Sequence, residues 1–115
     1  MKLPNADQAI IDGRKLYDYL LSFAHPTGRF KARFFAQLGY RSDNWRRLAD
    51  DLRTQHASHD AQALGPNEYG VKYQIKAPLK GPLGPPAPVV SVWFIRKGES
   101  VPRFVTAYKG NADDF

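Results

Sequence analysis

Tyr69-Gly70-Val71-Lys72-Tyr73-Gln74-Ile75-Lys76-Ala77 sets large or apolar side chains at odd positions against small or polar ones at even positions. A period of two marks a β-strand with one face on a core and the other wet, so Lys72 and Lys76 face water or a ligand. Five prolines between Pro78 and Pro88 then predict a loop between hairpin strands, because proline cannot donate to a ladder. Val89-Val90-Ser91-Val92-Trp93-Phe94-Ile95 is apolar on both faces, as a central strand covered on both sides should be. Lys97-Gly98-Glu99-Ser100 turns the chain into a last strand, Arg103-Phe104-Val105-Thr106-Ala107-Tyr108. A weaker strand signal lies around Asp60 to Leu64.

Helical patterns precede the strands. Asp12 is placed to cap a helix with Leu16, Leu20 and Phe23 at i, i+4 and i+7, widened by Tyr17 and Leu21, that ends near His25-Pro26-Thr27-Gly28. A second helix, Arg29 to Leu38, is expected to bury Phe30, Phe34, Phe35 and Leu38 and to stop at Gly39. Ser42 is the expected cap of a third, with Trp45, Leu48 and Leu52 toward the core and His56 continuing that stripe. Helices followed by a meander predict an α+β fold, with N-terminal helices packed on a C-terminal antiparallel sheet of about three to four strands. The expected organisation is one domain over 1–115: an arm (1–11), a helical part (12–58), a sheet part (60–109) and a short tail (110–115).

With 115 residues, 43% hydrophobic and 13% aromatic, the chain can bury a real core. It has no cysteine, so packing rather than disulfides or thiolate metal sites must stabilise it. Charge and proline interrupt the first residues before a signal-peptide core could form, and no apolar run approaches the roughly 20 residues of a membrane span. A cytoplasmic location with no membrane partner is the expectation. Lysine and arginine exceed aspartate and glutamate by 17 to 11, and the excess lies in the sheet half. Residues 70–110 carry Lys72, Lys76, Lys80, Arg96, Lys97, Arg103 and Lys109 against Glu99 alone, a surplus that attracts phosphates or an acidic protein.

The glycines form neither a Walker loop nor a dinucleotide fingerprint, and the three histidines lack zinc-site spacings, so the expectation is no cofactor and no metal. Nucleophile elbows and cysteine pairings are also missing. The remaining residues suit phosphodiester chemistry without a metal. In RNA cleavage a base takes the 2′-hydroxyl proton, an acid protonates the 5′-oxygen, and cations stabilise the phosphorane between them. His25 as acid or base, Lys31 and Arg96 as phosphate cations, and Thr106 and Tyr108 as phosphate donors form the candidate catalytic set. Arg33, Lys72, Lys76 and Arg103 are candidate RNA-binding residues. His56 and His59 read as a helix end. Two registers of the last hairpin stay open. With Val92 opposite Thr106 and Phe94 opposite Phe104, Arg96 shares a face with Thr106 and Tyr108; a slip by one residue separates them.

Leu3-Pro4-Asn5-Ala6-Asp7, His25-Pro26-Thr27-Gly28 with Lys31-Ala32-Arg33-Phe34-Phe35, Leu38-Gly39-Tyr40, and Pro102-Arg103-Phe104-Val105-Thr106-Ala107-Tyr108 together resemble a bacterial family of small domains of unknown function, DUF6883. The element order and the final Thr106-Ala107-Tyr108 after an arginine-bearing strand are similar, more weakly, to the barnase, EndoU, colicin and RelE group of metal-independent ribonucleases. That group commonly ends in Thr-Ala-Tyr-Pro, whereas Lys109 stands here in place of the proline, and no histidine occurs in the strands. The resemblance implies a toxin-type ribonuclease leaving a 2′,3′-cyclic phosphate, with RNA as substrate and an acidic antitoxin or immunity protein as partner. The alternative is a non-enzymatic protein- or nucleic-acid-binding domain that uses its basic sheet face.

Overall fold

The strand with the clearest alternation, β2 (Gly70–Leu79), pairs antiparallel with β3 (Ala87–Arg96) from Gly70 opposite Arg96 to Leu79 opposite Ala87. The computed structural model describes residues 1–114; Phe115, the end of the expected tail, lies outside them. With β1 (Gln62–Asn67) and β4 (Arg103–Lys109) the strands form one antiparallel sheet in the order β1-β2-β3-β4. The weak signal around Asp60 to Leu64 is therefore a real strand, shifted toward Asn67. The proline-rich loop is shorter than expected, because Pro78 and Pro88 lie opposite each other at the end of the β2–β3 ladder. Tyr69, read as strand, is 70% exposed in the β1–β2 turn, where the Asn67 side chain accepts bonds from the backbone N–H groups of Tyr69 and Gly70.

One sheet face carries Tyr73, Ile75, Ala77, Leu79, Val89 and Trp93 into the core. The other carries Lys72, Gln74 and Lys76 beside Val90, Val92 and Phe94. Trp93 is fully buried and meets Phe104 edge-on at 5.4 Å. A bulge in β4 makes this contact. Val92 lies opposite Thr106 and Trp93 opposite Phe104, so Val105 is the extra residue. Phe104 thereby turns into the core, where the simple register would have set it against Phe94, and Arg103 takes the place opposite Phe94.

The helical layer departs from the sequence reading at its first turn. Asp12 caps α1 (Gly13–Lys15), its carboxylate accepting from the Arg14 amide at 3.0 Å. The Arg14 guanidinium, and after it that bond, hold the Asp12 carboxyl below its ordinary range. The chain then widens into a π-helical turn, Leu16–Leu20, closed by the Leu21 N–H on the Leu16 carbonyl at 2.8 Å. The extra residue shifts the phase of everything after it. Leu16, Leu20 and Leu21 enter the core, whereas Phe23 is 51% exposed and the helix ends five residues before His25.

In α2 (Gly28–Gln37), Ala32 and Phe35 are buried and Phe34 is half-buried. Phe30, expected inside, is 61% exposed, with the Arg29 guanidinium 4.9 Å from its ring centre. The third helix, α3 (Trp45–Thr54), follows a 3₁₀ turn, Ser42–Asn44. Ser42 does not cap it; its hydroxyl donates to the carbonyls of Tyr17 and Leu21. Leu48 and Leu52 are fully buried, while Trp45 is half-buried, tilted against Tyr17 at 5.6 Å. Tyr40 donates to Asp51 at 2.6 Å, and burial, reinforced by that bond, pushes its phenol pKa up.

His56, in a 3₁₀ turn after α3, is buried at the centre of the fold. Its Nδ1 lies 2.8 Å from the Ser91 hydroxyl, and its Nε2 lies 3.0 Å from the carbonyls of both Ala77 and Val89. The indole N–H of Trp93 donates to the same Ser91 oxygen at 2.9 Å. The chain of donors is consistent in one sense only. Trp93 gives to Ser91, Ser91 gives to Nδ1, and the Nε2–H is shared by two carbonyls. The ring is neutral in this arrangement. Burial pushes the His56 pKa down, and the two carbonyl bonds oppose that shift without overcoming it.

An N-terminal arm ties the two edges of the sheet together. At one end the Ala61 N–H donates to the Met1 carbonyl at 2.6 Å and Lys2 bridges Asp60. At the other, Ile10 donates to the Pro102 carbonyl and accepts from the Phe104 N–H, both at 2.9 Å.

Candidate functional site

His25 stands where a helix cap would stand. Its Nδ1 accepts from the backbone N–H groups of Thr27 at 3.1 Å and Gly28 at 3.0 Å, which satisfies donors at the first turn of α2 that have no partner within the helix. An Nδ1 used as acceptor leaves the ring proton of the neutral imidazole on Nε2. As placed, His25 is an Nε2–H donor; exchanging a proton with a substrate requires the ring to release its backbone donors. Its face meets Tyr19 nearly perpendicularly at 4.9 Å.

Lys31, one turn into α2, points to the last strand. Its ammonium donates to the Tyr19 hydroxyl at 2.9 Å and to the Thr106 hydroxyl at 3.1 Å. It also lies 5.9 Å from the centre of the Tyr108 ring. Two of its three N–H bonds are thus used by neutral oxygens, and among the described residues no carboxylate pairs with it. A half-buried cation held by hydroxyls keeps its field for an incoming anion. The bulge in β4 keeps Thr106 opposite Val92 and Tyr108 opposite Val90, on the face away from the core. Tyr108 is 39% exposed, so its ring and hydroxyl border the solvent side of the cluster.

Lys31, Thr106 and Tyr108 therefore meet, and Tyr19 links His25 to them. Arg96 does not join them. It shares their face, but it lies opposite Gly70, four residues along β3 from Val92, which is about 13 Å of strand. There it lines a cleft of about 360 Å³ with Asn67, Gly70, Lys97 and Glu99. Parity alone gave its face and left its distance open. Arg33 also falls elsewhere, since residues two apart on a helix point to different sides and Lys31 faces the strand.

The sheet face away from the core continues the cluster as three transverse rows, in which Val90 and Val92 are buried among their longer neighbours. Lys76, Val90 and Tyr108 form one; Gln74, Val92 and Thr106 the next; Lys72, Phe94 and Arg103 the third. Arg103 pairs with Glu99 at 3.3 Å. The rows set cations on either side of a short apolar strip, with Arg96 beyond the third.

Tyr19 was not singled out by the sequence, and the reason is local. It lies in the π-turn, whose wider spiral carries no residue signature, so helical periodicity does not forecast where its side chain points. His56 and Ser91 were likewise read only as a helix end and as part of an apolar strand. Their shared buried network depends on a pairing across 35 residues.

Among the described residues three helices lie against one face of a four-stranded antiparallel meander, with Lys31 meeting Thr106 and Tyr108 at the last strand and Tyr19 joining it to His25. These features define an α+β domain with a half-buried lysine held between two hydroxyls at the sheet margin. The chain belongs to the family of domains of unknown function DUF6883, whose profile matches residues 2–111. No curated protein matches its sequence. Among solved structures it is similar to a chain of a contact-dependent growth inhibition toxin–immunity protein complex from Klebsiella pneumoniae 342. The TM-score is 0.72 at 19% identity, over 94% of this chain and 98% of that one. At that identity the likeness establishes the shared fold. Among the described residues no helix is long and apolar enough to cross a membrane.

Proposed function

We propose that this chain is a metal-independent ribonuclease of toxin type that cleaves RNA to a 2′,3′-cyclic phosphate. The observation that carries the reading is Lys31, a half-buried ammonium held by two hydroxyls and facing no carboxylate among the described residues. A scissile phosphate in front of Lys31 meets its remaining N–H, the Thr106 hydroxyl and Tyr108. The 2′-oxygen attacks phosphorus, the bond from phosphorus to the 5′-oxygen breaks, and the proton lost from the 2′-hydroxyl is balanced by one delivered to the 5′-oxygen. Lys31 and Thr106 stabilise the doubly charged phosphorane. His25 donates its Nε2–H toward the phosphate, and serves as acid or base once its ring turns off the backbone. Arg96, Lys72, Lys76 and Arg103 bind the RNA backbone further along the face. A partner that neutralises such a protein would present acidic groups to the same surface.

The test is purified chain on labelled RNA, with the product end identified as cyclic phosphate and Lys31→Met and Thr106→Val beside wild type. Cleavage by wild type that falls about 10²-fold or more in Lys31→Met supports the reading. A wild-type chain that binds RNA with a steep salt dependence but never cuts it refutes the enzyme. That result favours the second reading, a binding module, which the rows of cations on the face away from the core support.

A further inference from the structure

We infer that Tyr19 is a positioning residue that holds Lys31 and His25 in mutual register; the inference rests on the ribonuclease reading for its kinetic consequence and on geometry alone for the rest. Three contacts meet at this one side chain. Its hydroxyl accepts from the Lys31 ammonium at 2.9 Å. Its ring centre lies 5.2 Å from the same ammonium. Its ring also packs edge to face with His25 at 4.9 Å.

The backbone around Tyr19 is built to the same end. The π-turn Leu16–Leu20 supplies the altered phase that sends Tyr19 toward α2 while Leu20 stays in the core. Gly28, the first residue of α2, presses on that turn so closely that a Cβ at position 28 would sit 2.0 Å from the Tyr19 carbonyl oxygen. Only glycine permits this approach. The start of α2 therefore rests on Tyr19, and Lys31 lies one turn further on. Four methylene groups separate the Lys31 ammonium from its backbone, so its position depends on the acceptors that meet it. Thr106 fixes it from the sheet side and Tyr19 from the helix side.

Tyr19→Phe removes the acceptor oxygen and keeps the ring against His25. It should lower kcat for RNA cleavage about tenfold, the loss of one hydrogen bond to a charged group, and leave KM within about twofold. Acylation of Lys31 by an amine reagent, followed at that residue by peptide mass spectrometry without RNA, should quicken about threefold or more as the ammonium loses one of its two fixed partners. Tyr19→Leu, which also removes the contact with His25, should lower kcat further. Unchanged kcat and unchanged Lys31 acylation in Tyr19→Phe would overturn the assignment, as would a rise in KM with kcat intact. A wild-type chain that cuts no RNA defeats the ribonuclease reading instead, and the acylation ratio then decides the positioning by itself.

Discussion

Ser91→Ala removes a single oxygen from the interior and leaves two polar neighbours without partners. In the native fold that oxygen accepts from the Trp93 indole at 2.9 Å and donates to His56 Nδ1 at 2.8 Å, and all three residues are fully buried. An orphaned buried donor or acceptor costs about 1–3 kcal/mol, so the pair should cost roughly 2–6 kcal/mol, a large share of the roughly 5–15 kcal/mol typical of a domain. With a urea slope of about 2 kcal/mol per molar, the unfolding midpoint should fall by about 1–3 M at unchanged slope. The same substitution in a Trp93→Phe background orphans only His56, so its effect there should be smaller by about 1–3 kcal/mol. A loss below about 0.5 kcal/mol, the usual range of a surface change, would show that the hydroxyl is not the junction of the network.

The other tests concern the two histidines. The native His56 ring resists the proton that the unfolded ring accepts below its ordinary pKa of 6.5. Stability should therefore be full above that value and fall as pH drops through it, by up to about 1.4 kcal/mol per unit, until the native pKa is passed; a stability flat between pH 6.5 and 5 in urea titrations would contradict the burial. The lowered carboxyl of Asp12 acts in a separate window, its contribution being lost only as pH falls below its ordinary 3.8. For His25, asparagine offers a side-chain oxygen to the same backbone donors, so His25→Asn should keep the melting temperature while His25→Ala loses about 0.5–2 kcal/mol. Both variants should lose RNA cleavage by about 10²-fold or more, and cleavage retained in His25→Asn would reduce His25 to a helix cap.

The sheet was legible because its signals are short-range. Tyr73, Ile75 and Ala77 alternate with Lys72, Gln74 and Lys76, and the interior runs between them enforce which face is wet. The helices were legible as helices but not in phase, since the π-turn at Leu16–Leu20 adds a residue that no sequence rule announces. Phe23 was assigned to the core on that account and stands in solvent, while Phe30, in the separate helix α2, is exposed because that helix turns Ala32 and Phe35 inward instead. The site repeats the contrast. Strand parity gives Thr106 and Tyr108 a common face, yet the bulge at Val105 decides that Phe104 leaves that face while Thr106 keeps it. Arg96 shows the limit of parity, which reports the side of a sheet and says nothing of distance along it. The Lys31–Tyr19 contact joins two helices through a backbone approach at Gly28, and a lone glycine in sequence is compatible with many other uses.

The arm that links Met1 and Lys2 to one sheet edge and Ile10 to the other has a mechanical meaning. A load drawn on the first residues, with the far end held, meets the bond to Ala61, the Lys2 bridge and the pair at Ile10 one after another, so each carries the whole force in its turn and yields early. The β2–β3 ladder, paired over its full length, divides a load along the strands among many bonds at once. The molecule is therefore soft to traction from its leading segment and stiff within the sheet. Stripping the arm lays bare the Phe104 N–H on the margin of β4, just before the bulge that sets Thr106 against Lys31. Tension at the amino end would then draw Leu3 and Ala9 out of the core on its way to the cationic cluster.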